Sequence, residues 1–204
     1  MTKKIIQFSI LVVLIIVYLS IAMFSYANTV SSDLKDSFFR LHIIANSNSD
    51  ADQNLKIKVR DSVLEYMNSI SKGCNSKNDV IALSNDNLDN FKVVAEKVVN
   101  EEGFDYPINV SIGTFYFPTK EYGNISLPAG NYDGLKIEIG KATGQNWWCS
   151  LFPPLCFVDI SSGVIDDESN EKLKSDLNNE EYAIITNNSK GINFKFKLVE
   201  LLSK

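Results

Sequence analysis

Residue types that often carry chemistry are scarce in this sequence. Its 204 residues include one histidine, three cysteines, two tryptophans and five prolines. The cysteines form no CxxC pair and no HExxH helix is present, so the sequence predicts no metal site. It also lacks a glycine-rich loop of the phosphate-binding kind, and we expect no cofactor.

Basic charge is also in short supply. Twenty Lys and Arg residues are outnumbered by 25 Asp and Glu residues, which gives a net charge of −5 at pH 7. Nucleic-acid-binding domains usually carry a basic patch or stripe, so we expect no nucleic acid as a partner. The apolar fraction of 45% is sufficient for a core, and the length suits one domain plus a leader.

The N-terminal residues, 1–27, have the pattern of an export signal. Lys3 and Lys4 precede the apolar run Ile5–Phe24, and Ser25-Tyr26-Ala27 places small residues where a signal peptidase reads them. The run is also long enough to cross a bilayer uncleaved, so a signal peptide and a retained membrane anchor both stay open. The two lysines place the remainder outside the cytoplasmic membrane in either case. Loss of the leader changes the net charge from −5 to −7.

A polar linker is predicted over 28–37, followed by a single domain over 38–204. Alternation from Phe39 to Ile43 predicts a half-buried strand. Two helices are predicted next, over about 51–71, with Ser49 or Asp50 as the N-cap, and over about 86–102. The segment between them, Cys74–Asn87, is interpreted as a loop or a single helical turn.

The rest of the domain has the period of β-strands. Strands are predicted over 106–112 and 135–140, with a turn-rich joint over 127–134. Further elements are a short strand over 157–160, a helix over about 166–179, and a strand or helix within 193–202. The order of elements predicts an α+β fold, with the N-terminal strand and a two-helix hairpin packed on a mainly antiparallel sheet.

The stretch from Gly144 to Phe157 is unusual because it holds both tryptophans, two of the three cysteines and two of the five prolines. Prolines cannot sit in a central strand, so we interpret the stretch as a loop that leaves the sheet edge. Such a loop is either well-packed core or a rigid, presented surface. Cys149 and Cys156 form a disulfide if the compartment is oxidising, and the rival is two free buried thiols. Cys74 would remain unpaired.

His42 is the only histidine and lies at the first predicted strand. It is a general base, a structural residue or a surface contact, and the sequence leaves the three open. An enzyme acting on cell wall or a related extracytoplasmic polymer would need a cleft in which His42 meets a carboxylate or Cys149. No local motif supports that alternative.

Two long segments resemble one known family. The first runs Leu41-His42-Ile43-Ile44-Ala45-Asn46-Ser47 and continues through Asp52-Gln53-Asn54-Leu55-Lys56 and Val59-Arg60-Asp61. The second is Pro128-Ala129-Gly130-Asn131-Tyr132 followed by Gly144–Phe157. Both are similar to the signature of the stage II sporulation protein R family. Asn48 departs from that signature, because an aspartate is usual there.

This resemblance implies a signalling role in endospore formation. Members are made in the forespore and exported into the space between two membranes. There they activate a membrane-embedded aspartic protease that processes the pro-form of the mother-cell sigma factor. The implied partners are that protease and, through the leader, a membrane; the oligomeric state stays open.

As a binding module, the chain is expected to use aromatic and proline anchors beside polar residues, because aromatic residues dominate interface hot spots. We expect no catalytic residues in this role. The partner-binding residues predicted on this basis are Arg40, His42, Asn46, Arg60, Asn146, Trp147, Trp148, Pro153 and Pro154.

Overall fold

The computed structural model of the protein describes residues 2–156 and 167–186. The elements in chain order are α1 (Thr2–Ser37), β1 (Phe39–Ile44), α2 (Asp50–Ile70), α3 (Lys77–Asp86), α4 (Leu88–Glu101), β2 (Ile108–Phe117), β3 (Lys120–Tyr122), β4 (Ile125–Leu127), β5 (Gly130–Ile139), β6 (Asn146–Phe152), α5 (Asp167–Asp176) and α6 (Asn179–Thr186).

Four strands form the main sheet in the order β2-β5-β1-β6. Strand β1 runs parallel to β5, and the other two pairs are antiparallel. Strands β3 and β4 form a separate two-stranded hairpin. The predicted α+β fold with a mainly antiparallel sheet is confirmed.

Helices α2 and α4 cover one face of the sheet. Each helix buries a stripe of apolar side chains at spacings of three and four residues, which is the helical period. Leu41 and Ile43 of β1 belong to the same buried cluster. The stripe consists of Leu55, Val59, Val63 and Met67 in α2, and Phe91, Ala95 and Val99 in α4.

The start of α2 follows the sequence expectation, because the Ser49 side chain accepts the N–H of Asp52. The interpretation of Cys74–Asn87 as a loop or single turn is wrong over most of its length. A helix of 10 residues, α3, begins after Ser76, whose side chain accepts the N–H of Asp79. Val80 anchors this helix in the core.

Strand β5 also differs from expectation. The turn-rich joint predicted over 127–134 is reduced to Pro128 and Ala129, and β5 begins at Gly130. Residues that look turn-like in isolation form a strand because they pair with β2, as Gly134 does with Gly113.

The tryptophan stretch is a strand, β6, rather than the expected loop. Residues Asn146 to Phe152 pair antiparallel with β1. The prolines do not interrupt this ladder because Pro153 comes after its last residue. The loop interpretation is therefore wrong for the tryptophans and holds only for the prolines.

Helix α1 is 36 residues long and runs without a break into the folded domain. Its segment Lys4–Ser25 spans 22 residues, is fully exposed, and is long and apolar enough to cross a membrane. The segment predicted as a linker continues this helix. Near the helix end, Leu34 is buried in the core, and the Ser37 hydroxyl donates to Glu181 at 2.7 Å. The division into leader, linker and domain stays a prediction.

Helix α5 lies within the helix predicted over about 166–179. The strand predicted over 157–160 and the element predicted within 193–202 lie outside the described residues.

Candidate functional site

Strands β1 and β6 bring the two resembling segments together. His42 lies opposite Trp148, and Ile43 lies opposite Trp147. Successive side chains of a strand point to opposite faces, so the two indoles lie on opposite faces of the sheet. Trp148 shares the face away from the helices with Arg40 and His42, whereas Trp147 lies on the helix side.

Arg40 is completely buried. Its guanidinium carbon lies 4.3 Å from the ring centre of Phe117 and 4.9 Å from that of Tyr132. Nη2 donates to the hydroxyl of Tyr122 at 3.3 Å, whereas Nε and Nη1 have no partner. Among the described residues no carboxylate forms an ion pair with this cation.

Tyr122, from β3, reaches over the edge of the main sheet. Its hydroxyl lies 3.3 Å from Arg40 Nη2 and donates to the carbonyl of Trp148 at 3.3 Å. Burial raises the pKa of Tyr122, although the Arg40 charge acts in the opposite direction. The phenol therefore stays neutral and leaves the guanidinium charge uncompensated.

His42 lies next to Trp148, with ring centres 5.7 Å apart and nearly parallel planes. Its Nε2 lies 2.7 Å from Asn146 Oδ1. Because Oδ1 is an acceptor, Nε2 carries the proton and Nδ1 of the neutral ring is an acceptor without a partner. Burial lowers the pKa of His42, and the positive charges of Lys136 and Arg40 add to this, against the bond to Asn146 and the charge of Glu138. The ring is neutral at pH 7.

The two tryptophans are half-buried, and each has a cation over its ring. Lys120 Nζ lies 5.3 Å from the ring centre of Trp148. The Arg60 guanidinium lies 4.3 Å from that of Trp147 and also pairs with Asp61. Sequence reasoning missed Lys120, because the short segment around it has no clear period.

Lys56 is a second buried cation beside this site. It is 5% exposed and donates to the Gln145 carbonyl at 3.2 Å and to Gln53 Oε1 at 2.6 Å. Burial lowers its pKa, and the charge of Arg60 adds to the effect. Its bonds to neutral acceptors hold the start of β6 against α2.

Buried polar atoms without a hydrogen-bond partner are concentrated here. Six such side-chain atoms occur among the described residues, and five belong to Arg40, His42, Trp147 and Trp148. Buried polar atoms in folded proteins nearly always have a partner, so each exception needs an explanation. The clustering marks β1 and β6 as the place where another molecule could supply the missing bonds.

Asn46, in contrast, is fully engaged inside the protein. Its Nδ2 donates to Asp52 at 2.9 Å, and its Oδ1 accepts the backbone N–H of Lys141 at 2.9 Å. Its carbonyl accepts the Thr143 hydroxyl at 2.8 Å. Asn46 therefore fixes the loop that leads into β6.

Asp52 completes this network and was not predicted as a site residue. Burial would raise its pKa, but hydrogen bonds from Ser47, Asn46 and Tyr106 outweigh that effect and lower it. The signal available in the sequence was its position three residues after the N-cap Ser49.

Pro153 and Pro154 lie at the opposite end of β6 from Asn146. Pro153 is buried and Pro154 is half-buried. Cys149 and Cys156 form a disulfide, and Cys74 is free. Pro154, Cys156 and Cys74 line a cavity of about 60 Å³ between the end of β6 and helix α2. The prolines and the indoles are therefore separate features.

The described residues offer little catalytic chemistry. No group of three or more His, Cys, Asp or Glu side chains among them could hold a metal ion. Cys149 is bound in the disulfide, and the protonated nitrogen of His42 is bound to Asn146. The arrangement is suited to recognition through aromatic rings, cations and free hydrogen-bonding atoms.

Two comparisons with known proteins name the same family. A sequence model of the family described as stage II sporulation protein R matches residues 35–162, a range that contains both β1 and β6. Stage II sporulation protein R of Bacillus subtilis (strain 168) is 39% identical over 142 residues, which cover 70% of this chain and 63% of that relative, less than two thirds of its length. No solved structure matches the chain. The chain belongs to the stage II sporulation protein R family.

Proposed function

We propose that this chain is an exported signal between the two compartments of a sporulating cell. In this role it leaves the forespore and activates the membrane-embedded aspartic protease that processes the pro-form of the mother-cell sigma factor. Family membership supports the sporulation role. The exposed apolar helix Lys4–Ser25 fits a signal peptide or membrane anchor.

The observation that carries the proposal is a surface built on β1 and β6, which we call the β1–β6 surface. It lies at the sheet edge formed by β6 and includes both faces of that strand, with His42, Lys120, Asn146 and Trp148 on one face and Arg60 and Trp147 on the other. Both indoles are half-buried and held by stacked cations, so they are rigid yet reachable. Tryptophan and arginine are the residue types most enriched in interface hot spots.

Charge on this surface differs from that of the whole chain. The sequence without its leader carries −7, yet Lys120 and the buried cations Arg40 and Lys56 form no ion pair among the described residues. A partner surface with acidic groups would complement this local excess, and such complementarity favours fast and selective association.

Helix α1 places the domain close to a membrane as long as the leader is retained. The buried Leu34 comes only nine positions after Ser25, the end of the apolar span. At 1.5 Å per residue, this separation is about 14 Å. A membrane-embedded partner would then lie within reach of the domain.

Reconstitution tests the proposed function. The full chain is co-expressed with the candidate protease and its pro-sigma substrate in a non-sporulating host, and processing is followed by the size shift of the substrate. We expect processing to depend on this chain. Processing that proceeds equally well without it would refute the activator role.

Variants test the proposed surface in the same assay. Trp148→Ala should reduce processing at least tenfold, since a hot-spot tryptophan contributes more than about 2 kcal/mol. Tyr116→Ala is the matched control, because Tyr116 is an aromatic residue on another strand and is 49% exposed. If both variants signal like the wild type at equal protein levels, Trp148 is not part of the contact.

The alternative of an extracytoplasmic hydrolase has no observation in its favour. His42 bonds to an amide, and Cys149 is oxidised. Cys149 is therefore not available as a nucleophile, and no nucleophile bonds to the unprotonated Nδ1 of His42 among the described residues. We therefore do not propose it.

A further inference from the structure

We propose that Arg40 is the receptor for a carboxylate carried by an extended acidic segment of a partner protein. In the unbound chain, the hydroxyl of Tyr122 holds the place of that carboxylate. The proposal deepens the proposed function and rests on it, because it names the chemistry by which the β1–β6 surface recognises its partner.

The first argument is the state of the guanidinium. Arg40 is 0% exposed, and its Nε and Nη1 are without partners. The rings of Phe117 and Tyr132 stabilise its charge but offer no lone pair in the guanidinium plane. A buried charge is normally both paired and hydrogen-bonded. The planar fork of arginine matches a carboxylate, which can accept two parallel bonds.

The second argument concerns Tyr122. The bond that its hydroxyl accepts from Arg40 and the bond that it donates to the Trp148 carbonyl are both 3.3 Å long, whereas N–H···O bonds usually measure about 2.9–3.0 Å and O–H···O bonds about 2.7–2.8 Å. A neutral phenol at this distance is a weak partner for a cation. Tyr122 belongs to the three-residue strand β3, which pairs only with β4 among the described strands. A carboxylate that replaced the hydroxyl would form shorter, charge-assisted bonds.

The third argument concerns the other polar groups on the same face of the sheet as Arg40. Trp148 Nε1 is a donor without a partner, and His42 Nδ1 is an acceptor without one. A peptide segment offers backbone C=O and N–H groups that fit this pair, and a free carboxylate ion does not. Lys120, over the Trp148 ring, adds positive charge beside them. The nearby Glu138 is engaged by Lys136 at 3.1 Å and by Asn109 at 2.8 Å.

The test uses the full chain in lipid nanodiscs and the nuclear magnetic resonance signals of its single histidine and two indole N–H groups. The probe is an acetylated, amidated pentapeptide with a central glutamate between valines. The control probe has glutamine at the same position, and sodium acetate at equal concentration supplies a free carboxylate. We expect the glutamate peptide to shift the His42 and Trp148 signals, with binding at least tenfold tighter than for either control. Equal binding of the glutamine peptide or of acetate would overturn the proposal.

Two variants assign the effect to the residues named. Arg40→Met keeps an unbranched side chain of similar volume and removes the charge, so it should lower the affinity for the glutamate peptide to that for the glutamine peptide. Tyr122→Phe removes the competing hydroxyl and should tighten glutamate-peptide binding severalfold. If Arg40→Met does not fold, Tyr122→Phe alone tests the proposal. Unchanged or weaker binding of the glutamate peptide by Tyr122→Phe would contradict the idea that the Tyr122 hydroxyl occupies the carboxylate position.

A carboxylate from the chain itself is the remaining occupant to be tested. Asp159, Asp166 and Glu200 lie outside the described residues. If Asp159→Asn, Asp166→Asn or Glu200→Gln raised the affinity for the glutamate peptide, Arg40 would be assigned to an internal pair and the proposal would be overturned. None of these measurements uses the protease. Their failure would leave the activator role standing if reconstitution succeeds.

Discussion

Two polar clusters lie along the same stretch of chain and differ in how well they are satisfied. The first surrounds Asp52, where Asn46 and Ser47 donate to its carboxylate and Asn46 also holds the loop before β6. The second surrounds Arg40, where donors and acceptors are buried without partners. A closed network stabilises the fold by itself, whereas an open one leaves bonding capacity for another molecule. We therefore expect the cluster around Asp52 to stabilise the fold and the cluster around Arg40 to bind the partner.

The largest effect expected is on stability, from Asp52→Ala. This change removes a buried carboxylate and leaves the half-buried donors of Asn46 and Ser47 without their acceptor, at an expected cost of about 3 kcal/mol in the free energy of unfolding. Chemical denaturation of the full chain in micelles, followed by tryptophan fluorescence, measures it. A loss below about 1 kcal/mol would show that the cluster around Asp52 is not the stabilising one.

Asp52 also predicts a pH dependence. Its pKa is lowered in the folded state, so its contribution is fully present above the unfolded pKa of about 3.9 and is lost as the pH falls through the folded value. Asp52→Ala should therefore be less sensitive than the wild type to acid below about pH 4.

Asn46→Ala should have the next largest effect. Loss of its bonds to Asp52 and to the Lys141 N–H should reduce the free energy of unfolding by about 1–2 kcal/mol. Signalling per folded molecule should be unchanged, because both polar atoms of the Asn46 side chain form hydrogen bonds within the protein. Reduced processing at equal amounts of folded protein would instead support the prediction that Asn46 contacts the partner.

Arg40→Met should behave in the opposite way. Replacing an unpaired buried cation with an apolar side chain of similar size removes a desolvation penalty, so we expect the free energy of unfolding to change by less than about 1 kcal/mol or to increase. Processing in the reconstituted system should nevertheless be lost. If Arg40→Met is strongly destabilised and its remaining folded protein supports normal processing, Arg40 has a structural role, as Asp52 does. The two clusters would then not differ in function.

The smallest effect is expected from titration of His42. Its pKa is lowered in the folded state, chiefly by burial, so its contribution to stability is present above the unfolded pKa of about 6.5 and is lost as the pH falls through the folded value. Asp52 stays ionised in this range. His42→Gln should therefore reduce the loss of stability between pH 7.5 and 5, and nuclear magnetic resonance of the wild-type imidazole should give a pKa below 6.5.

Local patterns in the sequence predict the helical layer well. The Ser49 cap and the apolar stripe of α2 depend on neighbours within a few residues, and both are present in the structure. The α+β class follows from the order of such elements. The membership of Trp147 and Trp148 in a strand does not, because their partner β1 lies about a hundred residues away in the chain.

The candidate site was predictable as a list of residues but not as an arrangement. The hypothesis of a binding module picked out Arg40, His42 and Trp148, which the structure brings onto one face. It also picked out Asn46, which points into the fold. The burial of Arg40 could not be foreseen, because alternation along β1 predicts an outward side chain. The rings of Phe117 and Tyr132 and the side chain of Tyr122 cover it together.

Helix α1 runs from the apolar N-terminal segment into the domain without a break, so cleavage of the leader decides whether the domain stays tethered to the membrane. Cleavage after Ala27 would leave Leu34 and Phe38, both fully buried, seated in the domain. The same recognition surface would then exist in a tethered and a released form. Tethered molecules search a membrane plane for their target, and released molecules search a volume, so cleavage would set the rate and range of encounter without altering what is recognised.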